Sequence, residues 1–387
     1  MATNSGNHKK NAGKNAPQRG TASKGTAPRT GGKKMSAKQR KAKKRKRIVL
    51  FAVEIVALVV LLAALVSVLM ITKTDKVKIN PEDIAVNPEV EENTEMKGYR
   101  NIALFGVDSR TGKLGKGNRS DTIMIASINQ DTGDVKLVSV YRDTYLNLGT
   151  DAYNKANAAY AKGGPEQAIN MLNMCFDLNI QEYVTVGFDA LIETIDALGG
   201  IQIDVHENEI EHLNNYQRSM FSEDENDALN ENIVKVTKPG LQTLNGLQAT
   251  AYCRIRYVGD DFGRAERQRK VLLACLDKAK QANPATLVEI LNKVLEHVYT
   301  NIGVEEMASV LKDVASYEVV AQDGIPFESA RKTGTVGKKG SCVIPVDLAE
   351  NVKMLHEFLF DAADYVPSEQ VQQCSQQISS DTGVYKK

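Results

Sequence analysis

Residues 1–47 contain no aspartate and no glutamate, yet hold 16 lysines and arginines. The rest of the 387-residue chain carries 33 basic and 48 acidic side chains, so a formal net charge of +1 conceals a basic head on an acidic body of net −15. The head also has almost no large apolar side chains. It has nothing to bury against the entropy of ordering, and disorder is predicted over 1–47. Several chemistries lack their signatures. No GxxxxGK(S/T) phosphate loop, no GxSxG elbow and no HExxH helix occurs, which argues against nucleotide hydrolysis of the P-loop type, serine hydrolysis and zinc proteolysis. No internal repeat is evident. Cysteine is scarce and odd in number: Cys175, Cys253, Cys275, Cys342 and Cys374. Outside a cell such a count leaves at least one thiol free. Cys175 and Cys275 lie in apolar helical runs and read as core. Cys342 and Cys374, both near the C-terminus, can pair, though spacing does not establish it.

One long apolar run is present. Residues 48–71, IVLFAVEIVALVVLLAALVSVLMI, hold only Glu54 and Ser67 as polar exceptions. At about 1.5 Å per residue this run crosses a hydrocarbon core about 30 Å thick. A signal peptide would have a shorter apolar core and a small-residue cleavage site, and Thr72-Lys73-Thr74-Asp75 is a poor one. We therefore read 48–72 as a transmembrane helix. Lys41, Lys43, Lys44, Arg45, Lys46 and Arg47 abut it on the N-terminal side, so the N-terminus is expected in the cytoplasm and the body outside. The basic tail reads as this topology anchor, and no specific nucleic-acid partner is expected.

Residues 73–97 read as a linker with Pro81 and Pro88. Folded patterning begins at 98 and runs to about 330, with 331–387 an unassigned extension. Asn101–Val107, Asp121–Asn129 and Val135–Tyr141 are predicted strands, the last two joined by a hairpin at Gly133. Pro165–Phe176 is a predicted helix. Strand Glu182–Phe188, a helix capped by Asp189 and stopped by Gly199-Gly200, and strand Ile201–Val205 follow. His206–Asn232 is polar and acidic and reads as an exposed lid or loop. His206, Glu207, Glu209, Glu211 and His212 within it read as a solvated segment rather than a metal site. Helices are predicted over Asn245–Cys253, Gly263–Ala282, Leu287–Val298 and Val304–Tyr317. Strands interleaved with helices, plus one hairpin, predict a layered α/β/α domain with a mixed central sheet, preceded by the transmembrane helix.

Two clusters carry chemistry. Asp108-Ser109-Arg110, Asn118-Arg119-Ser120-Asp121 and Arg142-Asp143 sit at strand ends, which converge on one rim of a sheet. The second cluster is Arg254, Arg256, Asp260, Asp261, Arg264, Arg267 and Arg269. Arginine offers a planar fork that grips phosphate through paired hydrogen bonds. Carboxylates among arginines suit a Mg²⁺ ion bridging to phosphate oxygens. Arg264 and Arg267, three apart on a helix, are expected to share a face. The bland alternative is a salt-bridged surface helix.

The stretches NIALFGVDSR (101–110), NRSDTIMIASIN (118–129), VSVYRDT (138–144), KANAAYAKGG (155–164), TVGFDALIETIDALGGIQIDV (185–205), PGLQTLNGLQATAYCRIRY (239–257) and DDFGRAERQR (260–269) together resemble the LytR-CpsA-Psr family. The order, the spacing and the layout of basic tail, single span and outer domain match as well. The resemblance implies a membrane-anchored extracellular enzyme. It would move a glycopolymer such as teichoic acid or capsule from a polyprenyl diphosphate carrier to peptidoglycan. It implies Mg²⁺ on Asp108 and Asp121. Arg119, Arg142, Arg254, Arg256, Arg264 and Arg267 would hold the diphosphate. Arg119 and Arg142 would also act in catalysis, with Asp261 as base or metal ligand. An apolar lipid groove is implied too, with Ile169, Leu172, Phe176, Phe188, Leu191 and Ile195 as candidates or as ordinary core. Two other readings remain: a non-enzymatic envelope sensor whose tail binds nucleic acid, and a hydrolase that passes the polyprenyl diphosphate to water.

Overall fold

The protein is described by a computed structural model over residues 81–109, 113–221 and 233–386. The basic tail, the run 48–72, the first part of the linker, Arg110 and residues 222–232 of the polar stretch lie outside the described residues. Among the described residues no helix is long and apolar enough to cross a membrane.

Strands β1 (Tyr99–Val107), β2 (Ser120–Asn129) and β3 (Asp134–Val140) form an antiparallel meander. The β2–β3 turn closes at Gly133, whose φ of 80° suits glycine alone. Helix α1 (Pro88–Glu92) precedes them, and the short strands β4 (Tyr145–Asn147) and β5 (Tyr153–Lys155) pair with each other. Helix α2 (Asn157–Phe176) is broken at Gly164 and resumes at Pro165. The pattern predicted only its second half, because the Gly163-Gly164-Pro165 break hides the first turns. Then come β6 (Glu182–Val186), α3 (Phe188–Ala197), β7 (Ile201–Val205), α4 (Glu207–Phe221), β8 (Gly240–Leu244) and α5 (Gly246–Tyr252). The cap of α3 is Gly187 and not Asp189, which lies in the first turn, where its charge still favours the helix dipole. The chain continues through α6 (Asp260–Gln281), α7 (Pro284–Val294), β9 (Val298–Thr300), α8 (Val304–Lys312) and β10 (Glu318–Ile325). It ends with β11 (Arg331–Thr335), β12 (Ser341–Pro345), α9 (Leu348–Phe360) and α10 (Glu369–Thr382).

Six strands make the central sheet in the order β10-β3-β2-β1-β6-β9. β6 runs parallel to β1 and β10 parallel to β3, while the other neighbours are antiparallel, so the sheet is mixed as expected. Side chains alternate across it. Ala103, Phe105, Ile123, Ile125 and Val138 face one layer, packed with Ile169, Leu172 and Phe176 of α2 and with α9 and α10. Leu104, Ala126, Ile128 and Leu137 face the other, against Leu272 and Leu273 of α6.

Three segments differ from expectation. Residues 207–221 form a helix, not an exposed loop. Glu209, Leu213 and Gln217, four apart on one face, are all buried, and two of the three are polar, which masks the apolar period. The C-terminal half of the linker belongs to the core, since Val90 and Met96 join the α2 cluster. Residues 331–378 belong there too: Cys342, Ile344, Leu348, Val352, Leu355, Leu359, Val371 and Ile378 pack in that same cluster. The chain thus has no packing boundary near 330.

Candidate active site

Backbone pairing brings the first two carboxylates together. Val107 pairs with Ser120, with a bulge between Gly106 and Val107. Asp108 therefore leaves β1 beside Asp121, the second residue of β2. Arg142 and Asp143 follow β3, the neighbour of β2. From across the rim, the turn after α5 contributes Arg254 and Arg256, and the first turns of α6 contribute Asp261 and Arg264. α5 is fixed by a reciprocal cap between Asn245 and Gln248. The start of α6 is set by a left-handed turn at Gly259 and Asp260, with φ of 75° and 53°.

Asp121 is the hub. Arg142 Nη1 donates to its Oδ1 at 2.7 Å, Arg264 Nη2 donates to its backbone carbonyl at 3.0 Å, and Arg256 Nη2 stands 3.6 Å from its Oδ2. Burial alone would raise this carboxyl, but Arg264, Arg142 and Arg256 hold it below the usual carboxylate range. Asp108 Oδ2 accepts from Arg254 Nη2 at 3.4 Å. The Arg254 guanidinium lies over the Phe188 ring, 4.7 Å from its centre. Asp261 Oδ1 stands 3.3 Å from Arg142 Nε and 3.5 Å from Arg264 Nη2. Burial, and then the neighbouring Arg142, push the Arg264 guanidinium down to about 10, still charged at neutral pH. Arg142 Nε, Asp261 Oδ1 and Arg264 Nε are buried without a hydrogen-bond partner. Arg119 is exposed, lines the polar side of the site, and makes no ion pair among the described residues.

Two cavities of opposite character meet here. One, of about 560 Å³, is walled by Leu104, Met124, Val184, Val186, Phe188 and Leu191 and reaches Cys275 on α6. The other, of about 580 Å³, is walled by polar groups, among them Asn118, Arg119, Arg142, Asp143, Lys155 and Asn157. Asp108, Asp121 and Arg256 border both. Of the residues expected to line a lipid groove, Phe188 and Leu191 line the apolar cavity. Ile169, Leu172 and Phe176 are core under the opposite sheet face, and Ile195 is core beside α5.

Arg267 does not reach the site. It is buried: Nε donates to Glu209 Oε1 at 2.6 Å, Nη1 to the Ile255 carbonyl at 3.1 Å and Nη2 to the Val258 carbonyl at 2.6 Å. Three residues from Arg264, it turns toward α4 and braces the backbone that carries Arg254 and Arg256. Arg269 likewise turns inward, donating to Ser139 Oγ at 2.8 Å. Two residues to which the sequence analysis gave no role, Asp143 of the strand-end cluster and Lys155, complete the polar cavity. Asp143 lies against Asp261, and Lys155 Nζ approaches Asp143 Oδ1 at 3.4 Å. Burial raises the Asp143 carboxyl, and Arg142 and Lys155 do not fully offset burial and the neighbouring Asp261. The adjacency of Asp143 to Arg142 was the one available signal.

A model of the LytR_cpsA_psr family matches residues 66–356. This chain belongs to the LytR-CpsA-Psr family. Among curated members it is 30% identical over 275 residues to polyisoprenyl-teichoic acid–peptidoglycan teichoic acid transferase TagV of Bacillus subtilis, covering 69% of this chain and 65% of that protein. It is 29% identical over 236 residues to the TagU transferase of Oceanobacillus iheyensis, covering 59% and 66%. The chain thus spans just under two thirds of the length of either relative. The crystal structure of B. subtilis TagV superposes with a TM-score of 0.54 at 27% identity, over 70% of this chain and 99% of that one. A structure of TagT bound to LI-WTA superposes with a TM-score of 0.51 at 19% identity, over 76% and 94%, a likeness of fold.

Proposed function

We propose that this LytR-CpsA-Psr protein is a membrane-anchored phosphotransferase. It would move an anionic glycopolymer from a polyprenyl diphosphate carrier to peptidoglycan on the outer face of the membrane. The observation that carries this reading is the shared border of the two cavities. A diphosphate with a lipid on one side and a sugar on the other has the same division. Its charged centre would sit where Asp108, Asp121 and Arg256 border both cavities. The similarity to the teichoic acid transferases TagV and TagU supports the same reaction class.

In this reading an acceptor hydroxyl oxygen attacks the sugar-side phosphorus. The bond from that phosphorus to the bridging oxygen breaks, and polyprenyl phosphate leaves. Arg142, Arg254, Arg256 and Arg264 bind the phosphoryl oxygens and meet the charge that builds on the leaving phosphate. Arg119, exposed at the polar cavity, takes part from the sugar side. Asp261 accepts the proton of the attacking hydroxyl, with Asp143 beside it to share that proton. The donor set also fits Mg²⁺. Asp108 and Asp121 offer hard carboxylate oxygens at one junction, and such an ion is typically held by one or two carboxylates with phosphates and water filling the rest. Bound there, Mg²⁺ would neutralise phosphate charge. The arginines now paired to these carboxylates would turn to the phosphates.

The test is to give the full chain, in vesicles, a polyprenyl diphosphate-linked sugar, Mg²⁺ and peptidoglycan. Transfer predicts polyprenyl phosphate and a new phosphodiester on the glycan in equal amounts. Free sugar phosphate would mean a hydrolase, and no turnover would favour a sensor.

A further inference from the structure

The hairpin β11–β12 carries a charge that the rest of the body does not share. Residues 329–346 hold Arg331, Lys332, Lys338 and Lys339 and no acidic side chain, within a body of 33 basic and 48 acidic residues. Lys332, Lys338 and Lys339 are exposed and make no ion pair among the described residues. At about 3.3 Å per residue, β11 sets Lys332 roughly 13 Å from Val336, where the turn begins. Three unpaired cations spread over such a length suit an anion with charge repeated along a chain. We propose that β11–β12 is a binding arm for the anionic chain of the transferred glycopolymer, with phosphates of successive repeats on these lysines. The inference rests on the transfer reaction proposed above and narrows its donor to polymers with charge in their repeats.

The hairpin is built into the rim of the polar cavity. The Val343 N–H of β12 donates to the Asp143 carbonyl at 2.9 Å, and Val343 forms a parallel bridge with Thr144. The Thr144 carbonyl in turn accepts from the Ala156 N–H at 2.8 Å. The hairpin and Lys155 therefore flank one short segment, and Asp143 and Lys155 both line the cavity. At the base of the other strand, the Arg331 guanidinium lies over the Phe262 ring, 4.0 Å from its centre, and Nη1 donates to the Tyr141 hydroxyl at 2.9 Å. Phe262 directly follows Asp261, the proposed base. The arm is thus fixed beside both carboxylates of the transfer step, and a polymer leaving the diphosphate on its sugar side passes along it.

The turn lysines are held in place. Lys338 and Lys339 occupy a single 3-10 turn, Gly337–Lys339. The Lys339 N–H donates to the Val336 carbonyl at 2.9 Å, and the Val336 N–H donates to the Gly340 carbonyl at 3.0 Å. Val336 is buried and packs in the α2 cluster with Cys342 and Ile344. This anchoring uses no disulfide, since Cys342 is a free thiol. Cations ordered in advance lose less freedom when a polyanion binds. Lysine on an exposed edge strand also discourages pairing between copies. That role accounts for Lys332 on β11 but not for the pair at the turn, which lies outside both strands.

The test uses the full chain in phosphatidylcholine vesicles beside a variant carrying Lys332→Gln, Lys338→Gln and Lys339→Gln. Two donors are compared: a polyprenyl diphosphate-linked disaccharide without phosphate repeats, and the same lipid extended by glycerol phosphate repeats. With the long donor, KM should rise about fivefold or more in the variant, as three exposed ion pairs are lost. Salt at about 0.5 M should erase that difference. With the short donor the two proteins should turn over alike. Arginine at the three positions should restore the long-donor KM. An unchanged KM for the long donor, or an equal loss with both donors, overturns the proposal. A glycerol phosphate polymer bearing a photoreactive group gives a second readout that needs no turnover. Its cross-links should map to residues 329–346 of the wild-type chain and disappear from them in the variant. Cross-links confined to residues 1–47, or the same in both proteins, overturn the arm. Hairpin cross-links in a chain that transfers nothing would uphold the arm while sinking the transferase reading.

Discussion

Arg254 and Arg256 face the junction of the two cavities, where several cations crowd two carboxylates. Removing either relieves repulsion as much as it loses an ion pair. We therefore expect Arg254→Ala or Arg256→Ala to leave the melting temperature nearly unchanged. Affinity for a polyprenyl diphosphate should weaken by roughly 1.5–3 kcal/mol, the worth of a charged hydrogen bond. Lysine should rescue only in part, because an ammonium cannot make the paired contact. Arg267→Ala should do the reverse. It leaves the buried Glu209 carboxylate with no cation and only the His206 N–H as donor, and should destabilise the fold by about 3–5 kcal/mol. Denaturant unfolding and ligand titration on the same variants separate the two classes. Asp143 adds a pH signature. Its carboxyl is raised from 3.8, first by burial, so its ionisation opposes folding. Stability is fully present below the unfolded value and is lost as pH rises through the folded one. Asp143→Asn should then melt at or above the wild-type temperature at pH 7, with the gap closing below about pH 4. Thermal melts at the two pH values check this. Strand ends and the arginine run made Asp108, Asp121, Arg142, Arg254, Arg256, Asp261 and Arg264 legible from sequence. Arg267 was misplaced because its partner, Glu209, is 58 positions away in a segment read as loop. Spacing along a helix does not say which neighbour each face will meet.

Among elements, the three meander strands and the α3–β7 unit were legible because apolar runs and glycine punctuation agree there. α4 was not, since its buried face carries Glu209 and Gln217 beside Leu213. α9 and α10 had helical spacing but no motif, and only the sheet they cover reveals their place. His356 sits at that contact. Its Nε2 donates to the Phe176 carbonyl at 3.0 Å, and its ring stacks 3.5 Å from Tyr365. Burial pushes the imidazole down to about 4, against its ordinary 6.5. The folded chain keeps it neutral while the unfolded chain protonates it below about 6.5, so stability falls as pH drops from there toward 4. The loss should approach about 3 kcal/mol at the bottom of that window. Urea unfolding at pH 7 and pH 5 should show it in the wild-type chain and a flatter dependence in His356→Gln.

At the scale of the whole molecule, a basic head and an acidic body stand on either side of one apolar run. If that run spans the membrane, external protease on intact protoplasts should degrade the body while an epitope on residues 1–47 survives. Full protection of the body would sink the orientation. The layered sheet was legible because strands and helices alternate. The union of 331–378 with the core was not, because contacts between distant segments leave no local pattern.

The junction also bears on how a substrate could be found. Arg142 Nε and Arg264 Nε are buried without a hydrogen-bond partner, so two donors stand ready for an anionic acceptor. By mass action, any compound that completes those bonds stabilises the fold, by about 2.7 kcal/mol at a hundred times its dissociation constant. Melting temperature therefore becomes a readout of occupancy that needs no knowledge of the acceptor. Inorganic pyrophosphate with Mg²⁺ should raise it, a short prenyl diphosphate should raise it further by filling the apolar cavity, and a neutral prenyl alcohol should raise it least. Ranking prenyl diphosphates by heat alone would narrow the lipid carrier before any transfer is measured.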